Sequence, residues 1–116
     1  MTAVAGQVLP PVQTRVTRYE VCGLPGDDSN SRHFTIVVEY RGEERWAVTH
    51  GRMCLGVDGT WDFESQPSER VDEWLDTHRF DLETALRLAA EQAPLLTVNG
   101  HTIADVLAAE RKGIRK

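Results

Sequence analysis

An alternation of apolar and polar residues marks the middle of the chain as β-structure. In residues 33–41, HFTIVVEYR, alternate positions carry four large apolar side chains: Phe34, Ile36, Val38 and Tyr40. Successive side chains of a strand point to opposite faces, so this pattern predicts a strand with one buried face. Four further segments have a strand-like composition: 18–22, 44–50, 53–57 and 60–64.

Turn-forming residues separate these segments at short intervals. Residues 41–43 and 50–52 each centre on a glycine and predict tight reversals, and residues 23–32 form a polar loop. Asp58-Gly59 is the strongest turn signal, and it predicts a type I′ hairpin turn, in which both central residues have positive φ. The sequence therefore predicts an antiparallel meander of four or five strands.

A helical periodicity replaces the alternation near Ser65. Residues 65–68 offer capping hydroxyls and a proline suited to a first turn. Beyond them, the i, i+3, i+4, i+7 spacing places four side chains on one helix face: Val71, Trp74, Leu75 and His78. We expect this first helix to join the meander through four buried side chains: Trp61, Val71, Trp74 and Leu75.

Two more helices are predicted in the last third of the chain. The second, residues 81–93, is expected to begin at a capping Asp81 and to end before Pro94. Thr102 and Asp105 resemble a capping box that opens the third helix. A meander followed by three helices packed on one sheet face is an α+β fold.

The chain has the length of a single domain. Dividing its 116 residues would leave two pieces too small to bury stable cores. We expect residues 15–113 to form one α+β domain. Residues 1–14, which contain Pro10-Pro11, are predicted to be a disordered tail, and residues 114–116 a flexible one.

The cellular compartment is predicted from the start of the chain and from its cysteines. The first residues lack the basic and apolar pattern of a secretory signal, and their apolar run is too short to cross a membrane. Cys22 and Cys54 are too few for a disulfide framework, so we expect cytoplasmic thiols. Both cysteines fall in strand segments, which leaves a bridge between neighbouring strands open.

The negative charge of the protein is concentrated in one stretch. Residues 58–83 contain nine carboxylates and two arginines, in a chain whose formal net charge is −5. The candidate binding residues are the carboxylates expected to face away from the core: Asp62, Glu64, Glu69, Asp72, Glu73 and Asp76. They form either a surface that docks a basic partner or the solvated side of an amphipathic helix over a buried tryptophan pair.

Recognisable catalytic and cofactor motifs are absent from the sequence. It contains neither a Gly-x-Ser-x-Gly elbow nor a glycine-rich phosphate loop, and the four histidines are scattered. The spacing of Asp58, Asp62 and Glu64 differs from that of a calcium-binding loop, and His50 with Cys54 would supply only two ligands of a zinc site. We therefore expect no catalytic activity, no cofactor and no metal.

Three motifs carry a resemblance to known sequences. They are Asp-Gly-x-Trp-Asp at 58–62, Pro-Ser-Glu-Arg followed by Glu-Trp-Leu within 67–75, and Val-Asn-Gly-x-Thr at 98–102. Over about residues 18–107 the chain resembles a set of small uncharacterised proteins of actinobacteria and their phages. The resemblance implies an origin in a mobile element and no functional residues.

These observations favour a small non-catalytic protein that binds another protein. We expect a partner with a basic surface, and a role as an inhibitor or as a mobile-element accessory protein. The alternative is a weak nucleic-acid-binding accessory protein that uses the outer sheet face and the basic residues 111–116. The acidic balance of the chain argues against it, because phosphate contact requires a surplus of Lys and Arg.

Overall fold

The structure, a computed structural model, describes residues 8–64 and 71–111. A five-stranded antiparallel sheet has its strands in chain order: β1 Arg18–Cys22, β2 Thr35–Tyr40, β3 Trp46–His50, β4 Met53–Leu55 and β5 Trp61–Phe63. A two-stranded hairpin and three helices follow: α1 Asp72–His78, α2 Leu82–Gln92, β6 Thr97–Val98, β7 His101–Thr102 and α3 Ile103–Arg111. Short 3₁₀ turns occupy Ser31–Phe34 and Ala93–Leu95. The predicted α+β fold is confirmed.

The hydrophobic core lies between one face of the sheet and α2. The alternation in β2 buries the predicted face, with Ile36 and Val38 fully enclosed. Val48 pairs with Val38 across the strands and therefore points to the same face. Ala85 and Ala89 of α2 are also fully buried, and their small side chains allow the helix to lie close to the sheet.

The turn between β4 and β5 is not the predicted type I′ turn. Only Gly59 has positive φ, at +85°, and its N–H donates to the Gly56 carbonyl over 3.0 Å. This is a type I turn followed by a left-handed glycine, the usual form of a three-residue hairpin loop. The Asp58 carboxylate stabilises it by accepting hydrogen bonds from the Thr60 N–H and hydroxyl. Consecutive positive φ angles occur at Asn99-Gly100, between β6 and β7, and at Gly42, Glu43 and Glu44, between β2 and β3.

The predicted caps of the last two helices are confirmed. The Asp81 carboxylate accepts from the N–H and the hydroxyl of Thr84 at the start of α2. At α3, the Thr102 hydroxyl accepts from the Asp105 N–H, and the Asp105 carboxylate accepts from the Thr102 N–H. The capping residues predicted at 65–68 lie outside the described residues.

The predicted burial of the first helix is wrong at Val71. That side chain is 59% exposed, and Trp61, Trp74 and Leu75 are half-buried rather than hidden. Trp61 contacts His50 and Gln92 at the α2 side of the sheet, while Trp74 stacks on His78 within α1. The two indoles therefore do not form a common core.

A short backbone pairing decides where α1 ends. Phe80 and Trp46 exchange N–H to carbonyl hydrogen bonds of 2.7 and 2.9 Å. Phe80 thereby joins the core face, and the alternation of an extended chain directs its neighbour Arg79 to the opposite face. Arg79 meets Cys54 there, because Cys54 alternates with the core residue Leu55.

Candidate functional site

The candidate acidic residues fall into three groups in the structure. Four carboxylates are exposed: Asp62, Asp72, Glu73 and Asp76. Glu64 is turned inward, with 17% of its side chain exposed, and Glu69 lies outside the described residues. We call the four exposed carboxylates the acidic surface.

The acidic surface lies on α1 and β5, and two basic side chains of the described residues contact it. Asp72, Glu73 and Asp76 lie on one side of α1, and Asp62 projects from β5. Among the described residues, the basic side chains in contact with it are Arg45, 3.9 Å from Asp76, and His78, 3.4 Å from Asp62. Apart from these two contacts, the described part of the chain places no basic side chain against its carboxylates.

Glu64 belongs to an internal charge cluster. Its carboxylate accepts hydrogen bonds from Arg41 over 2.5 and 3.3 Å and from Arg79 over 2.8 Å. Burial alone would raise the pKa of Glu64, but the hydrogen bonds and charge of Arg41, followed by those of Arg79, hold that pKa below its usual value. The pKa of Arg41 is raised, since Glu64 and then Glu39 outweigh the effect of its burial. Glu64 is therefore a structural residue with a compensated charge.

Arg79 anchors this cluster, and the sequence analysis did not find it. Only 3% of its side chain is exposed, and its guanidinium lies 5.2 Å from the centre of the Trp74 ring. It also donates to the carbonyl of His78 over 2.8 Å and lies 3.7 Å from the Cys54 sulfur. The partners Arg79 and Glu64 are separated by 15 residues, so no local pattern could have revealed the pair.

The two cysteines are free thiols rather than a bridge. Cys54 is fully buried, and burial raises the pKa of its thiol despite the nearby guanidinium of Arg79. A thiol that is both protonated and inaccessible is a poor nucleophile. Cys22 is half-buried, and its sulfur contacts the Ser31 carbonyl and the Leu24 N–H, each over 3.4 Å.

His78, Asp62 and Thr77 lie in an order that resembles the activation of a nucleophile. The Nε2 atom of His78 is 3.4 Å from the Asp62 carboxylate, and its Nδ1 atom is 2.8 Å from the Thr77 hydroxyl. However, Nδ1 is also 2.9 Å from the carbonyl of Trp74, which can only accept a hydrogen bond. Nδ1 therefore carries a hydrogen and cannot take a proton from Thr77. The Thr77 hydroxyl itself lies 3.0 Å from that same carbonyl and is satisfied within the helix.

Surface cavities lie near histidine side chains. The one beside His78 has a volume of about 190 Å³, below the range of about 300–1,000 Å³ that is usual for small-molecule sites. A larger groove of about 350 Å³ lies between the 31–34 turn, the β6–β7 hairpin and α3, and is lined by residues that include His33, Phe34, Val98, His101, Asp105 and Val106. Within 8–64 and 71–111, no three His, Cys, Asp or Glu side chains are grouped to hold a metal ion.

The outer sheet face, proposed as an alternative nucleic-acid surface, carries arginines that are already paired. Arg18 lies 3.3 Å from Glu20, and Arg41 is bound by Glu39 and Glu64. Trp46, whose indole could stack on bases only if it were exposed, is buried in the core between two tyrosines. The basic tail extends from Arg111 into residues 112–116, which lie outside the described part of the chain.

Comparisons with protein families, with characterised proteins and with solved structures gave no significant match. Among the described residues, no helix is both long enough and apolar enough to cross a membrane.

Proposed function

We propose that this chain is a non-catalytic cytoplasmic protein that binds another protein through its acidic surface, and that the partner presents a basic surface. The observation that carries the proposal is the exposure of Asp62, Asp72, Glu73 and Asp76, which the basic side chains of the described residues contact at two points, Arg45 and His78. Exposed charges of one sign steer an oppositely charged partner and select it against others. The roles that fit are an inhibitor or an accessory protein of a mobile element.

The contrast with Glu64 supports this assignment. The fold uses two arginines to compensate that one inward carboxylate, whereas the neighbouring carboxylates on α1 remain outside. Asp72 and Asp76 are four residues apart on this short helix, so their like charges repel each other. Binding to a cationic partner would relieve that repulsion.

The test is a charge-neutralised variant, Asp72→Asn with Glu73→Gln and Asp76→Asn. Its matched control removes three exposed carboxylates elsewhere: Glu20→Gln, Glu83→Gln and Glu91→Gln. Proteins captured from a host lysate by the wild-type chain are identified, and each is purified and titrated against the three forms at two salt concentrations.

We expect a basic protein that binds the wild-type chain and the control alike, but the α1 variant at least about tenfold more weakly, with an affinity that falls as salt rises. Equal binding by all three forms would show that these carboxylates are only solvated. Salt-dependent retention of the wild-type chain on duplex DNA would contradict the proposal and favour nucleic-acid binding.

A further inference from the structure

Among the described strands, β5 lies at one edge of the five-stranded sheet. On its inner side, the Thr60 carbonyl accepts from the Gly56 N–H over 2.9 Å, and the Glu64 N–H donates to the Arg52 carbonyl over 3.2 Å. Alternate residues of an antiparallel strand bond to the same neighbour, so the N–H and C=O groups of Trp61 and Phe63 point away from β4. No hydrogen bond joins these outward groups to the described parts of the chain.

The side chains of β5 divide by chemistry between the two faces. Trp61 pairs with Leu55 and Phe63 pairs with Met53, so both aromatic rings lie on the apolar face. Phe63 is 72% exposed, and an adjoining cavity of about 210 Å³ is lined in part by Met53, Trp61 and Leu95. Asp62 lies on the other face, with 59% of its side chain exposed.

The opposite edge of the sheet is protected in a way that β5 is not. The exposed side chains of β1 are Arg18 and Glu20, which form an ion pair with each other. Charged side chains on an edge strand discourage the addition of another strand. On the same face β5 carries a single charged side chain, Asp62, and on its apolar face Phe63 is exposed, which favours such an addition.

Charge selects the occupant of this edge. In a symmetric antiparallel pairing of two copies of the chain centred on Asp62, the two Asp62 carboxylates would face each other, and like charges directly opposite destabilise a strand pair. A basic residue opposite Asp62 is stabilising instead, and it would also be drawn by the rest of the acidic surface. The edge therefore suits a segment of a different, basic protein.

We propose that β5 accepts an extended segment of a partner protein as a sixth antiparallel strand, with apolar residues opposite Trp61 and Phe63 and a basic residue opposite Asp62. Backbone hydrogen bonds provide the pairing, and the alternation of basic and apolar side chains provides the specificity. The inference rests on the proposed function, because it describes how the chain would recognise its basic partner.

The probe is a short fluorescein-labelled peptide of alternating arginine and valine, compared by anisotropy with an isomer that has all arginines followed by all valines. We expect the alternating peptide to bind at least about tenfold more tightly. The valines would occupy the hydrogen-bonded positions, so methylating their backbone nitrogens should abolish this preference, while methylating those of the arginines should not. Equal binding of the two isomers would overturn the proposal.

Variants of the chain locate the interaction. Asp62→Lys should transfer the preference to a peptide of alternating glutamate and valine, and Phe63→Ser should weaken binding of the arginine peptide about tenfold. The matched control is Glu20→Lys on β1, which should leave binding unchanged. Circular dichroism establishes that each variant is folded before it is titrated.

Two further outcomes separate this inference from the function on which it rests. In the first outcome, the two peptide isomers bind the wild-type chain equally, and neither binds the α1 charge variant. This result would rule out the strand-addition mechanism and would still support the acidic surface as the docking site. A concentration-dependent dimer in sedimentation that Phe63→Ser abolishes would identify a second copy as the occupant and would also overturn the proposal.

Discussion

Replacing Glu64 by Gln is the sharpest test of the internal charge cluster. The substitution preserves the volume of the side chain and removes its charge. Arg79, whose side chain is 3% exposed, would then lie in the interior beside an amide instead of a carboxylate. Arg41 would keep a partner, because Glu39 lies 3.4 Å from it.

The cost follows from the burial of the three groups. Removing one partner of a fully buried ion pair costs about 3–5 kcal/mol, because the remaining charge is left uncompensated. Glu64 and Arg41 retain partial contact with water, at 17% and 23% exposure, and the glutamine oxygen still accepts one hydrogen bond. We therefore expect a loss of about 2–3 kcal/mol in the free energy of unfolding, or a fall of about 10 °C in the melting temperature of a domain of this size.

Urea unfolding followed by tryptophan fluorescence and circular dichroism measures this loss. The matched control is Glu91→Gln, which breaks an exposed pair with Arg87 on α2 and should change stability by less than about 0.5 kcal/mol. A loss for Glu64→Gln no larger than that of the control would refute the cluster as described.

We also expect the stability lost in Glu64→Gln to depend on pH. The pKa of Glu64 is lowered in the folded protein from its ordinary value of 4.5. Its stabilising contribution is therefore complete above that ordinary value and is lost as the pH falls through the lower folded pKa. The difference in the free energy of unfolding between the wild-type chain and Glu64→Gln should be constant near neutral pH and should become smaller in acid. A difference that grows in acid would contradict the assigned direction.

Three further predictions concern local features. Asp81→Ala removes the cap that receives the Thr84 N–H, so it should lower the melting temperature by a few degrees and reduce helical circular dichroism. Asn99→Ala places an alanine at φ +52°, which should cost about 1 kcal/mol in urea unfolding, whereas Asn99→Gly should cost nothing. Cys54 is fully buried, so it should react with a thiol reagent only after denaturation, whereas half-buried Cys22 should react first. Rapid modification of Cys54 in the native protein would contradict its buried position.

Several elements could be predicted because their causes are local. The alternation around Ile36 and Val38 specifies a strand with one buried face, and the hydroxyl and carboxylate of Thr102 and Asp105 bond to backbone groups three residues away. The position of the Asp58-Gly59 turn could also be predicted from the sequence. The type of this turn could not be predicted, because Asp58 bonds to Thr60 instead of adopting positive φ itself.

The candidate site was only partly predictable for the same reason. The exposure of Asp72, Glu73 and Asp76 follows from helical spacing, which the sequence contains. Glu64 is also a carboxylate in the acidic stretch. Its inward orientation depends on Arg41 and Arg79, which are 23 and 15 residues distant.

The sequence by itself determined the strands, the last two helices with their caps, and the location of the negative charge. The tertiary structure alone decided which carboxylate is neutralised, where α1 ends against the sheet, and which edge strand presents an apolar side chain to solvent. Hydrogen bonds and periodic patterns that involve residues a few positions apart can be predicted from the sequence alone. Contacts between distant segments depend on how the sheet brings those segments together.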